Sequence, residues 1–188
     1  MTLSKLCFLA FLAAISVGSA LKKSASFAAP LFGATVIVDT DGEVVATFRG
    51  HSAGYTNELY LDSPDNALGL LFTNQTTPVG AQVNLGSFTA GTELLFRMNV
   101  MEDGSNFFTG PADRNPDGII HALVDEEQFA DETYVAFEDI LGGGDFNYND
   151  LTFSLTNTRA DGIVPEPATC LLSGLGGVLF VLGRRKWD

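Results

Sequence analysis

Between Cys7 and Cys170 the 188-residue sequence contains no cysteine. No disulfide can staple that stretch, even in an oxidising compartment, so its stability rests on core burial, with bound metal as a further source. Positive charge is nearly as scarce. From Ser24 to Val164 there are 4 Lys+Arg against 21 Asp+Glu, a formal charge of 4 − 21 = −17. Such a surface repels phosphate backbones and argues against nucleic acid as a partner. Divalent cations are its obvious compensation; plain solubility of a secreted protein is the simpler account of the same acidity. The stretch also has no sustained 3.6-residue periodicity with a cap, no internal repeat and no low-complexity linker. A wound α/β sheet is therefore not expected.

The two ends differ from the middle. Lys5 precedes the apolar run 6–15, and Ser16-Val17-Gly18-Ser19-Ala20 follows it. Small residues at Gly18 and Ala20 fit a signal-peptidase site, so residues 1–20 read as a signal peptide with a short helix, cleaved after Ala20, with a site a few residues later, near Ala28, as the alternative. At the other end Val164-Pro165-Glu166-Pro167 leads into an apolar, glycine-rich segment, 171–182, and then Arg184-Arg185-Lys186. The prolines break the domain from the hydrophobic helix that follows, and the basic triplet keeps to the cytoplasmic side of a membrane. Residues 21–163 remain for one domain of ordinary size, with about a dozen Phe to build its core.

Pro165, Glu166 and Pro167, the apolar run, and Arg184 and Arg185 occur in an order that resembles the PEP-CTERM sorting signal of Gram-negative bacteria that make exopolysaccharide. The resemblance covers residues 164–188. It implies a transmembrane helix that holds the precursor transiently in the inner membrane, and an exosortase-type protease that cuts near Pro-Glu-Pro. It also implies a cell-surface or extracellular destination.

The middle alternates with period two. Leu94, Phe96, Met98 and Val100 share one face opposite Glu93, Arg97 and Asn99; Leu151, Phe153 and Leu155 alternate with Thr152, Ser154 and Thr156. Further strands are expected at 34–38, 44–48, 59–61, 68–73, 83–88, 119–124 and 133–137, rich in Val, Ile, Phe and Thr and separated by Gly, Asn, Asp and Pro. Short strands at regular spacing predict an all-β fold, an antiparallel β-sandwich of jelly-roll-like winding.

Two loops carry the chemistry. In residues 137–151 the donors Glu138, Asp139, Asp145, Asn147, Asn149 and Asp150 surround Gly142-Gly143-Gly144. Hard cations such as calcium take six to eight oxygens from such side chains, and the glycines allow the left-handed backbone that gathers them. The competing account is a plain polar hairpin, since the same residues dominate turns. The second loop, Asp113-Arg114-Asn115-Pro116-Asp117-Gly118, matches the first half of a helix-flanked calcium loop, with oxygens at positions one, three and five and Gly at six. Position twelve is Val124 and Asp125 falls one place late, so only a calcium loop between strands, with Asp113, Asn115 and Asp117 as ligands, is open to it.

These segments, with Gly54-Tyr55-Thr56-Asn57, Gly91-Thr92-Glu93-Leu94, Gly110-Pro111 and His121-Ala122, resemble an uncharacterised β-rich domain often found on bacterial surface proteins with this tail. The Phe-Glu-Asp…Gly-Gly-Asp…Tyr-Asn-Asp signature implies a non-catalytic module and names no substrate.

Three lesser features remain. Gly50-His51-Ser52-Ala53-Gly54 matches the nucleophile-elbow pattern, which works only between a strand and a helix; a second strand is expected here, so a hydrolase is a remote alternative. His121 is expected as a satisfied, half-buried residue. Tyr55, Tyr60, Phe107 and Phe108 are candidates to stack on sugars, with core packing the preferred role; Asn74-Gln75-Thr76 is a sequon without expected use. The expectation is an exported, non-catalytic surface or matrix protein that binds calcium in acidic loops and thereby bridges to acidic exopolysaccharide. A carbohydrate-binding module is the alternative.

Overall fold

A computed structural model describes residues 29–64 and 67–162. The expected signal peptide with Ala20 and the sorting segment with Pro165, Glu166, Pro167, Arg184, Arg185 and Lys186 lie outside the described residues. Among those described, no helix is long and apolar enough to cross a membrane.

The chain forms β1 (Leu31–Phe32), β2 (Thr35–Val38), β3 (Gly42–Gly50), β4 (Asn57–Ser63), β5 (Leu70–Thr73), β6 (Gln82–Phe88), β7 (Glu93–Val100), β8 (Asn106–Phe108), β9 (Ala122–Phe129), β10 (Glu132–Phe137), β11 (Leu151–Thr156) and β12 (Thr158–Asp161). One sheet runs β1-β9-β10-β11-β3-β6 and the other β12-β2-β7-β4-β5, with β8 also paired to β7. All pairings are antiparallel. The expected antiparallel sandwich is therefore present, and the only helical turn among the described residues is a 3-10 turn at Ala112–Arg114.

Alternation decides which faces meet. In β7 Leu94, Phe96, Met98 and Val100 are wholly buried while Glu93, Leu95, Arg97 and Asn99 are partly exposed. Rings join the sheets across the core: Phe96 of β7 lies 4.9 Å from Phe153 of β11, and Phe48 of β3 lies 5.6 Å from Phe72 of β5. Each such ring contributes about 2–3 kcal/mol by leaving water, which is how a cysteine-free domain holds together. β11 departs from simple alternation because Thr152 and Ser154 are buried as well. Its outer face is covered by Arg49, which donates to Ser154 and to Glu132 and lies over the Phe129 ring at 4.1 Å.

The strand expected at 119–124 begins later, at Ala122, and continues through charged Asp125-Glu126-Glu127. β9 lies near the sheet edge, where β1 covers only Leu123 and Val124, so its far end can be polar. This late start leaves residues 109–121 as a loop. It meets the loops after β3 and β10 at one end of the sandwich, since Phe137 of β10 pairs with Ala122 of β9 and Gly50 of β3 with Thr152 of β11.

Candidate metal centre

Glu138 and Asp139 directly follow β10, and Asp150 directly precedes β11. The ladder of those two strands thus brings carboxylates eleven and twelve positions apart in sequence to the same rung. Asp139 N–H donates to Asp150 Oδ2 at 3.0 Å, and Asp150 N–H donates to Phe137 C=O at 3.0 Å. Ligand oxygens of Glu138, Asp139 and Asp150 lie within 4.8 Å of one another, with residue exposures of 1%, 3% and 7%. They form the base of a cleft of about 240 Å³, walled by Ser52, Gly54 and Tyr55 on one side and by Ile140, Asp145 and Asn147 on the other.

The backbone between them is held in an unusual shape. Gly142, Gly143 and Gly144 have φ of 83°, 85° and 49°, as the triple glycine predicts, and Phe146 and Tyr148 join them at 57° and 50°. Non-glycine residues adopt that region at a cost, so something must fix them. For Tyr148 it is the phenol, which donates to Ile120 C=O at 2.9 Å, and a ring contact with Phe32 at 5.2 Å.

Like charges in a dry site resist ionisation. Burial pushes Glu138 up to about 7, and the charges of Asp150, Asp145 and Asp139 add to the rise. Burial likewise raises Asp150 to about 6, against the opposing donation from Asp139 N–H. Asp139 rises for the same reason, restrained by Asn57, whose Nδ2 donates to its Oδ2 at 2.8 Å. Three buried side-chain oxygens among the described residues stay without any hydrogen-bond partner: Glu138 Oε2, Asn57 Oδ1 and Asn149 Oδ1. An unpaired buried acceptor costs about 1–3 kcal/mol, which a cation at this position would relieve. Every donor in the set is a hard oxygen, suited to calcium, magnesium or manganese rather than to soft-ligand metals.

The remaining expected ligands fare differently. Asp145 and Asn147 line the cleft but spend oxygens locally: Asn147 N–H and Nδ2 donate to Asp145 at 3.1 and 2.7 Å, and Asn149 N–H donates to Asn147 Oδ1 at 3.0 Å. Asn149 adds a structural bond, its C=O accepting from Ser52 N–H at 2.8 Å. Asp113 is exposed on the 3-10 turn and lines a separate cavity. Asn115 is used at both ends, accepting from Phe108 N–H and donating to Ile119 C=O. Asp117 accepts from Gly142 N–H, His121 Nε2 and Ile119 N–H at 2.8, 2.9 and 3.1 Å. Although burial alone would raise it, those donors hold Asp117 down at about 2. Val124, where a helix-flanked loop needs its glutamate, is buried in β9. The structure thus ties the second loop to the first instead of gathering Asp113, Asn115 and Asp117 around one point.

His121 is wholly buried, stacked on Phe107 at 3.7 Å, with Nδ1 against Glu138 C=O at 2.9 Å and Nε2 against Asp117. It is a strut, satisfied as expected but more deeply placed. Phe107 is core; Tyr60 is half-buried beneath Arg97, and Tyr55 is the exposed ring beside the cleft. Ser52 stands between β3 and β4, with no helix after it, and both His121 nitrogens are engaged elsewhere, so the elbow geometry is not formed.

Two contributors carry no local sequence signal. Asn57 reaches Asp139, 82 residues on. Asn74, buried despite its sequon, accepts from Asn57 N–H at 2.8 Å and donates to Tyr55 C=O and Asp150 C=O at 3.0 and 3.2 Å. Neither a protein-family model nor a curated protein matches this chain.

Proposed function

We propose that this protein is an exported, non-catalytic cell-surface or matrix protein whose sandwich binds calcium through Glu138, Asp139 and Asp150, with Asp145 and Asn147 at the rim. The observation that carries the cation is the buried, unpartnered Glu138 Oε2 among converging carboxylates beneath an open cleft. Calcium is preferred over magnesium because carboxylates from both ends of a long loop suit a flexible, high-coordination ion better than a strict octahedron. Binding neutralises charge that otherwise opposes folding and locks the loop between β10 and β11. Isothermal titration of calcium and magnesium into the full-length chain tests this. Micromolar calcium binding with weaker magnesium is expected, and absence of heat with an unchanged melting curve under chelator overturns it.

Export and sorting rest on the sequence. The leader 1–20, Pro165-Glu166-Pro167, the apolar run and the basic end support passage through the inner membrane, a membrane-held precursor and cleavage by an exosortase-type protease. Exopolysaccharide is the partner this placement suggests. Retention of the precursor mass after Glu166→Ala, against a shorter product from the parent, is the expected readout. The winding is read as jelly-roll-like, because the chain changes sheet between β1 and β2, β2 and β3, β3 and β4, β5 and β6, β6 and β7, β8 and β9, and β11 and β12.

A further inference from the structure

We propose that the cation keeps coordination positions open toward the cleft, and that a neutral sugar ring fills them with two vicinal hydroxyls while its apolar face lies on Tyr55. This rests on the cation reading above and names the ligand class of the same site.

Calcium takes six to eight oxygens. Of the six oxygens on Glu138, Asp139 and Asp150, at least three already accept hydrogen bonds, Asp139 Oδ2 from Asn57, Asp150 Oδ2 from Asp139 N–H and a Glu138 oxygen from Ile140 N–H. The base of the cleft therefore underfills the ion, and the rest of its shell comes from the open side. At ~30 Å³ per water the cleft holds roughly eight waters, more than one ion leaves unfilled, so there is room for a ligand beyond hydration. Its walls suit an amphipathic ring: Tyr55 and Ile140 are 40% and 45% exposed, with the Ser52 hydroxyl and the Asn147 amide beside them. Tyr55 is also positioned, because its C=O accepts from Asn74 Nδ2 and Gln75 Nε2, both at 3.0 Å.

Charge selects among sugars. Three ionised carboxylates and one divalent cation sum to −3 + 2 = −1, and Asp145 at the rim makes the cleft more negative. A uronate would meet that charge at close range, whereas a diol supplies two neutral oxygens. The expected bridge to acidic polysaccharide is replaced by a neutral one.

Terbium replaces calcium as the probe, bound to the full-length chain, with luminescence lifetimes in H₂O and D₂O counting waters on the ion. At least two bound waters are expected. Methyl α-mannopyranoside, methyl β-galactopyranoside and methyl α-fucopyranoside are then added separately, and at least one should displace two waters. Tyr55→Ala should weaken that displacement roughly tenfold while leaving terbium affinity unchanged. An ion without bound water, a hydration number that none of the three sugars alters, or displacement by galacturonate alone overturns the proposal. Absence of terbium and calcium binding overturns the cation reading itself, a separate result.

Discussion

Residues 113–118 and 138–150 use the same alphabet of Asp, Asn and Gly, meet at one end of the sandwich and share a hydrogen bond from Gly142 to Asp117. Their oxygens have opposite fates. In the first loop backbone N–H groups and His121 complete Asp117, which sits at about 2. In the second, Glu138 keeps an oxygen with no donor and rises to about 7. A carboxylate's donors, rather than its spacing from other acids, separate a completed structural turn from a cluster whose acids stay short of partners.

Removing the completed carboxylate should have the largest effect on stability. Asp117→Ala strands the buried His121 ring and takes the acceptor from the exposed Gly142 N–H, and a loss of about 3 kcal/mol is expected in denaturant unfolding. Calcium binding should weaken only through the loosened loop. Asp150→Asn acts the other way: the apo protein should tolerate it, but the stabilisation by calcium, about 2.7 kcal/mol at a hundred times Kd, should vanish from the melting curve. Retention of the calcium shift in Asp150→Asn would make the two loops equivalent after all.

Acid titration separates them by sign. Glu138 is raised from 4.5, so in chelator the protonated form favours folding, and stability should fall as pH rises from about 4.5 to 7. Asp117 is lowered from 3.8, so its contribution is present above that value and lost as pH falls toward 2. Melting temperatures measured without calcium should therefore peak in mildly acid buffer, and that peak should flatten in the Glu138→Gln variant. Calcium affinity should climb with pH toward 7 as protons leave the site.

The smallest effects distinguish two glycines. Gly118→Ala meets open space at φ 70° and should cost about 1 kcal/mol with cation affinity unchanged. Gly144→Ala, at φ 49°, would press its methyl against the Glu138 carboxylate, so calcium affinity in titration should drop as well.

Much of the sandwich was legible because β2, β3, β4, β6, β7, β10 and β11 alternate or are rich in β-branched and aromatic residues. β1 and β8 are too short for a period to register, and β12, Thr158–Asp161, is a polar edge strand. At the site Glu138, Asp139 and Asp150 were readable from the acid-rich loop and its glycines. What spacing could not separate was Asp145 and Asn147, whose side chains bond within their own turn, from the acids that the β10–β11 ladder gathers. Asn57 and Asn74 were illegible for a plainer reason: their partners are brought near only by the packing of the two sheets.

The Asn74 amide grips Tyr55 on one wall and the Asp150 backbone at the base, and its carbonyl oxygen holds Asn57 between them. One side chain, distant in sequence from the acids, thus ties a wall of the cleft to its base through three hydrogen bonds.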